Sequence, residues 1–116
     1  MNKFAVVGLG LLLSVGMTGM VFAAEATGTL EDGFCYNTMG AHGASHRTCA
    51  IECAKKGIPV VLLEKDGKQV VLLPAQDKAS LPSSVLDNME DKVTVTGDEL
   101  NKGGNTYLTV KSVKKL

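Results

Sequence analysis

The chain has no tryptophan, and aromatic residues make up only 4 % of its 116 residues. Without an aromatic platform, stacking of exposed nucleobases has little to rest on. It also lacks an excess of charge of either sign, since twelve Lys and Arg balance twelve Asp and Glu. A surface without a net positive field does not hold nucleic acid or an anionic membrane by charge. No Cys-x-x-Cys occurs, which removes the thioredoxin-type redox motif, and no Cys-x-x-Cys-His occurs, which removes covalent c-type haem. Cysteine and histidine are themselves scarce, at three and two residues.

All five of these scarce side chains lie between Cys35 and Cys53, as Cys35, His42, His46, Cys49 and Cys53. Thiolates and imidazoles are the ligands of soft transition metals, so their confinement to one short segment marks it as the place to look for chemistry.

The first residues read as a secretory leader. Lys3 precedes an apolar run from Phe4 to Leu13 that continues through Val15, Met17, Met20 and Val21, and Val21-Phe22-Ala23 supplies small residues for a signal peptidase. Cleavage is expected after Ala23, with Ala24 and Ala26 as alternatives, so residues 1–23 are the signal peptide. Gly8, Gly10, Ser14, Gly16, Thr18 and Gly19 interrupt the run and argue against a retained membrane anchor. Export across the inner membrane, with a periplasmic destination, follows from this reading. Roughly ninety residues then remain at 24–116, a single domain small enough to profit from a covalent or metal staple.

Along the remainder, Thr27 to Gly33 reads as a short strand ending at an Asp-Gly break. A loop from Cys35 follows, too rich in glycine at Gly40 and Gly43 to settle as helix. Ser45 then offers an N-cap to a helix over 46–56 that Gly57 stops. Val60 to Glu64 and Gln69 to Pro74 flank Asp66-Gly67 as a hairpin. Ala75 to Asn88 reads as a connector with one helical turn. Lys92 to Gly97 and Thr106 to Val113 alternate as half-buried antiparallel strands around an Asn101–Asn105 turn. The expected fold is mainly β: a five-stranded meander that closes into a small OB-like barrel, with one short Cys/His-bearing helix between strands 1 and 2 and the loop-helix at 35–57.

The residues Gly28, Leu30, Asp32, Cys35, His46, Arg47, Cys49, Cys53, Gly57, Pro59, Val60, Val93, Val95 and Gly97 resemble the pattern of a group of small exported bacterial OB-like barrel proteins with a Cys...His-Arg-x-Cys-x-x-x-Cys segment, most without an assigned activity. The resemblance implies fold and location and supplies no catalytic residues.

On a helix His46, Cys49 and Cys53 share one stripe, and Cys35 is within reach from the loop. Cys35, His46, Cys49 and Cys53 make a Cys3His ligand set, with His42 the substitute, suited to structural zinc ahead of copper. The alternative is a disulfide from Cys35 to Cys49 or Cys53, worth about 3 kcal/mol for a loop of roughly fifteen residues. A Cys49–Cys53 bridge within one helix would be strained. That alternative leaves an odd thiol, which permits a disulfide-linked homodimer, and turns the barrel into an interaction module for an unknown protein or small ligand. A thiol-redox protein is a second alternative, in which His46 or the helix N-terminus would lower a thiol pKa, while Cys-His hydrolysis finds no third orienting group or oxyanion hole in the chain. Met39 reads as core filler, Tyr36 as a cover over the site, Arg47 as a partner for a carboxylate or backbone carbonyls, and His42 equally as a solvated loop residue.

Overall fold

The computed structural model describes residues 21–116. The expected leader, residues 1–23, lies outside the described residues except for its last three, Val21, Phe22 and Ala23. Among the described residues no helix is long and apolar enough to cross a membrane.

Five strands carry the fold: β1 (Val21–Asp32), β2 (Val60–Leu63), β3 (Gln69–Leu73), β4 (Lys92–Lys102) and β5 (Asn105–Lys115). They close into a mixed barrel in the order β1-β2-β3-β5-β4. The first strand begins at Val21 rather than Thr27 and serves two neighbours. Its far half pairs with β4 from Val21↔Leu100 to Thr29↔Lys92, and its last residues pair with β2 from Thr29↔Leu63 to Asp32↔Val60. The barrel is not a simple meander. β3 runs parallel to β5, from Val70↔Thr106 to Leu73↔Thr109, because the connector after β3 carries β4 past β5 to lie against β1. This closure pairs the two edges that an open five-stranded sheet would expose.

Alternation along the strands selects the core. Leu30, Val60, Leu62, Val70, Val93, Val95 and Leu108 point inward with almost no exposure, and Met89 and Val85 close one end. Burying a side chain of this size contributes about 1.5–3 kcal/mol. β4 and β5 extend to a two-residue turn at Gly103-Gly104, both with positive φ as a tight hairpin requires, in place of the longer turn expected at 101–105.

Between β1 and β2 the sequence reading needs correction. Two helices, not one, fill this span: α1 (Gly33–Met39) and α2 (Arg47–Lys55), with a 3-10 turn at Ala44–His46. The segment after Cys35 becomes helix because Asp32 caps it, its Oδ1 accepting the Cys35 N–H at 2.7 Å. The glycines that argued against helix lie beyond its end, where Gly40 sits at φ 69°. Ser45 is inside the 3-10 turn and is not the N-cap, a position taken by His46 without a side-chain cap. Gly57 does stop α2, at φ 93°: its N–H reaches the Ala54 carbonyl and the Ile58 N–H reaches that of Cys53. The connector contains the expected helical turn as α3 (Ser83–Leu86).

Candidate metal centre

The two helices bring the thiols together from different parts of the chain. Cys35 lies in the first turn of α1 and is buried. Cys49 and Cys53 lie one turn apart on α2, the first exposed and the second half-buried. Their three sulfurs all fall within 4.8 Å of one another, and the cysteines are unbridged. A tetrahedral zinc site with Zn–S bonds near 2.3 Å has its sulfurs about 3.8 Å apart, so small side-chain adjustments separate this cluster from one.

Both helices are held by neighbours that fix the cysteine positions. On α1, Asn37 and Gln69 of β3 exchange amide hydrogen bonds of 3.0 and 2.8 Å. The Gly33 N–H at its start donates to the Pro59 carbonyl at 2.8 Å. On α2, Ala50 is fully buried against the barrel, and this sets the direction in which the flanking Cys49 and Cys53 project. Arg47 ties the start of α2 to the connector: it donates to the Met89 carbonyl at 2.8 Å and to Asp91 Oδ1 at 2.7 Å, fulfilling both roles expected of it.

His46 joins a second group. Its Nε2 hydrogen-bonds Asp32 Oδ2 at 2.8 Å, and ligand atoms of Asp32, Cys35 and His46 again lie within 4.8 Å of one another. Cys35 is therefore common to both groups. His42 is exposed, with Nδ1 2.9 Å from the Gly40 carbonyl and its ring edge-on to Tyr36, and belongs to neither group among the described residues. Met39, expected in the core, is instead 66 % exposed at the end of α1.

The electrostatics oppose thiolate formation without a cation. Burial first, then the charges of Asp32, Cys53 and Cys49, push the Cys35 thiol up to about 12. Burial and the charges of Asp32 and Cys49 also raise Cys53. Asp32 behaves oppositely. Burial alone would raise it, but hydrogen bonds from the Cys35 N–H and from His46 outweigh that and hold the carboxyl below its ordinary range. The Cys35–His46–Asp32 trio has the residue types of a thiol nucleophile with base and orienter, yet a buried, upshifted thiol is the reverse of an activated one.

Asp32 is the member of the cluster to which the sequence reading gave no role, naming it only at the end of a strand and within the resemblance. Its signature was present as an Asp three residues before the residue whose amide it caps.

An apolar cavity of about 580 Å³ opens on the barrel flank beyond the C-terminal end of α2, lined by Ile58, Pro59, Leu72, Leu73, Leu81 and Leu86 among others.

Comparison of the chain with protein-family models, with curated proteins and with solved structures finds no match. The functional reading therefore rests on the thiol cluster and its surroundings.

Proposed function

We propose that this is a small exported, periplasmic protein that binds one soft transition-metal ion, zinc ahead of copper, through Cys35, Cys49 and Cys53 with His46 as fourth ligand. The observation that carries the reading is the convergence of three sulfurs within 4.8 Å from two separately anchored helices. A cation among them offsets the repulsions that keep the thiols protonated. With Nε2 engaged by Asp32, the other ring nitrogen of His46, Nδ1, is the one left to coordinate. Asp32 then orients the ligand, as second-shell carboxylates do for metal-bound histidines. Zinc held this way would pin α1 and α2 together, and a structural site can supply on the order of 10 kcal/mol to folding. Copper in the same site would make the protein a carrier or buffer.

The test is metal stoichiometry and affinity for single Ser replacements of the three cysteines and for His46→Ala. Each cysteine variant is expected to lose the bound ion or to bind it far more weakly. Unchanged stoichiometry in all three would overturn the reading.

A second reading is a disulfide-stapled ligand-binding module. The same sulfur proximity favours a bridge from Cys35 to α2, and the cavity falls within the roughly 300–1,000 Å³ range of small-molecule sites. It predicts one free thiol after denaturation, where the metal-bound protein shows three, and allows a dimer linked through the odd cysteine.

A further inference from the structure

Close to the thiol cluster, two glutamates are buried together. Glu31 on β1 is 2 % exposed, and Glu90 in the connector is 9 % exposed. Glu90 has φ 72°, a left-handed conformation that costs free energy in a residue other than glycine. The surrounding backbone fixes it there. Its N–H donates to the Leu30 carbonyl at 2.8 Å, and the Leu30 N–H donates to Asp91 at 3.2 Å. Arg47 holds Met89 on one side and Asp91 on the other. Glu90 Oε1 accepts the Gly43 N–H at 2.7 Å. Glu90 Oε2 and Glu31 Oε1 are buried and, as carboxylate oxygens, meet no donor among the described residues.

Two ionised carboxylates are not buried side by side without a counter-charge or a proton between them. Among the described residues the nearby Arg47 guanidinium is engaged by Asp91, and the His46 ring hydrogen-bonds Asp32. A hard divalent cation takes about six or more oxygen ligands, which two free carboxylate oxygens do not provide. A proton needs only those two, since the O–H of one carboxyl donates to the carboxylate of the other.

We propose that Glu31 and Glu90 share one proton, and that this acid–carboxylate hydrogen bond anchors Gly43, and with it the loop joining the two cysteine-bearing helices, to the barrel. The charged groups facing the pair are Asp32, next to Glu31 on β1, which disfavours ionisation of Glu31, and the Arg47 guanidinium on α2, on the Glu90 side. Burial, the hydrogen bond with Glu90, and the charges of Glu90 and Asp32 push the Glu31 carboxyl up to about 8. With the proton on Glu31, Glu90 accepts from the Gly43 N–H at one oxygen and from the Glu31 O–H at the other.

The sign follows from linkage. The folded protein keeps until about pH 8 a proton that the unfolded chain releases near 4.5, so folding takes up a proton between those values. Stability is therefore lost as pH rises through that window, by at most about tenfold in the folding constant per pH unit. Above it Glu31 gives up the proton, the hydrogen bond to Glu90 is lost, and the Gly43 anchor loosens.

The test is a carboxyl-carbon NMR titration of the protein as purified, with labelled glutamate, alongside urea denaturation between pH 5 and 8. The expected result is one glutamate titrating near pH 8, absent in Glu31→Gln. In that variant the side-chain amide donates to Glu90 without titrating, so the decline in stability across the window disappears. Titration of every glutamate in the folded wild-type protein below pH 6 would overturn the proposal, whether or not the variant folds. So would an equal decline in the variant and the wild type. Glu31 is not a proposed ligand, and wild type and variant are compared in the same metal state, so failure here is distinguishable from failure of the metal-site reading.

Discussion

Asp32 does three things with one fully buried side chain: it caps α1, it holds His46, and its charge disfavours ionisation of Cys35 and Glu31. Replacing it with Ala removes the cap and a charge-assisted bond together. The expected loss is about 2–4 kcal/mol in urea denaturation, with Asn, which still caps, losing less. If the metal reading holds, Asp32→Asn also lowers metal affinity by about 10–100-fold, while His42→Ala leaves it unchanged. Asp32 and Asp91 set the acid limit. Hydrogen bonds to Asp32 outweigh its burial, and the Arg47 bond to Asp91 acts likewise, so both carboxyls sit below the ordinary value of 3.8. The stability they contribute is present above that value and is lost as pH falls through their folded values, which a pH series of denaturation midpoints reads directly. The cysteines and histidines were legible in the sequence because they are rare and crowded. Asp32, Glu31 and Glu90 were not, because an acidic residue beside a turn looks solvated until the chain packed over it is known.

At the level of elements, the strands and α2 follow from alternation and from Gly57, whereas α1 was hidden. Its composition is unremarkable, and what makes it helical is a cap on the preceding strand and an amide pair with β3, neither visible in a local window. The long β4–β5 ribbon bends where its register shifts between Thr96 and Gly97. A Cβ at Gly97 would overlap the Thr109 carbonyl of the neighbouring strand, so the close approach there admits no side chain. Gly97→Ala is expected to cost about 3 kcal/mol or more, or to prevent the barrel from closing, seen as a lowered melting temperature or loss of the cooperative transition. The Gly103-Gly104 turn carries no such overlap and is strained only through its backbone, so Gly103→Ala should cost markedly less.

For the whole molecule, the sequence pointed to five strands and a closed barrel, while the parallel β3–β5 pairing had to come from the structure, since no local pattern encodes which strands meet. The pairing of β1 with β4 bears on the proposed export step. β1 is already paired with β4 at Ala24↔Gly97, and Ala26 is buried in the core. Cleavage after Ala23 preserves both, whereas cleavage after Ala26 would remove a core residue. N-terminal sequencing of the exported protein is accordingly expected to begin at Ala24. The central claim, that three thiols gathered by two helices hold a metal ion, is tested most directly by the intact mass of the protein purified from the oxidising compartment, taken under native conditions and again after denaturation with thiol labelling. The account predicts one metal ion per chain in the native mass and three labelled cysteines in the denatured one. A metal-free native mass with a single labelled cysteine would contradict it, making the cluster a disulfide staple and moving the search for function to the cavity beside α2.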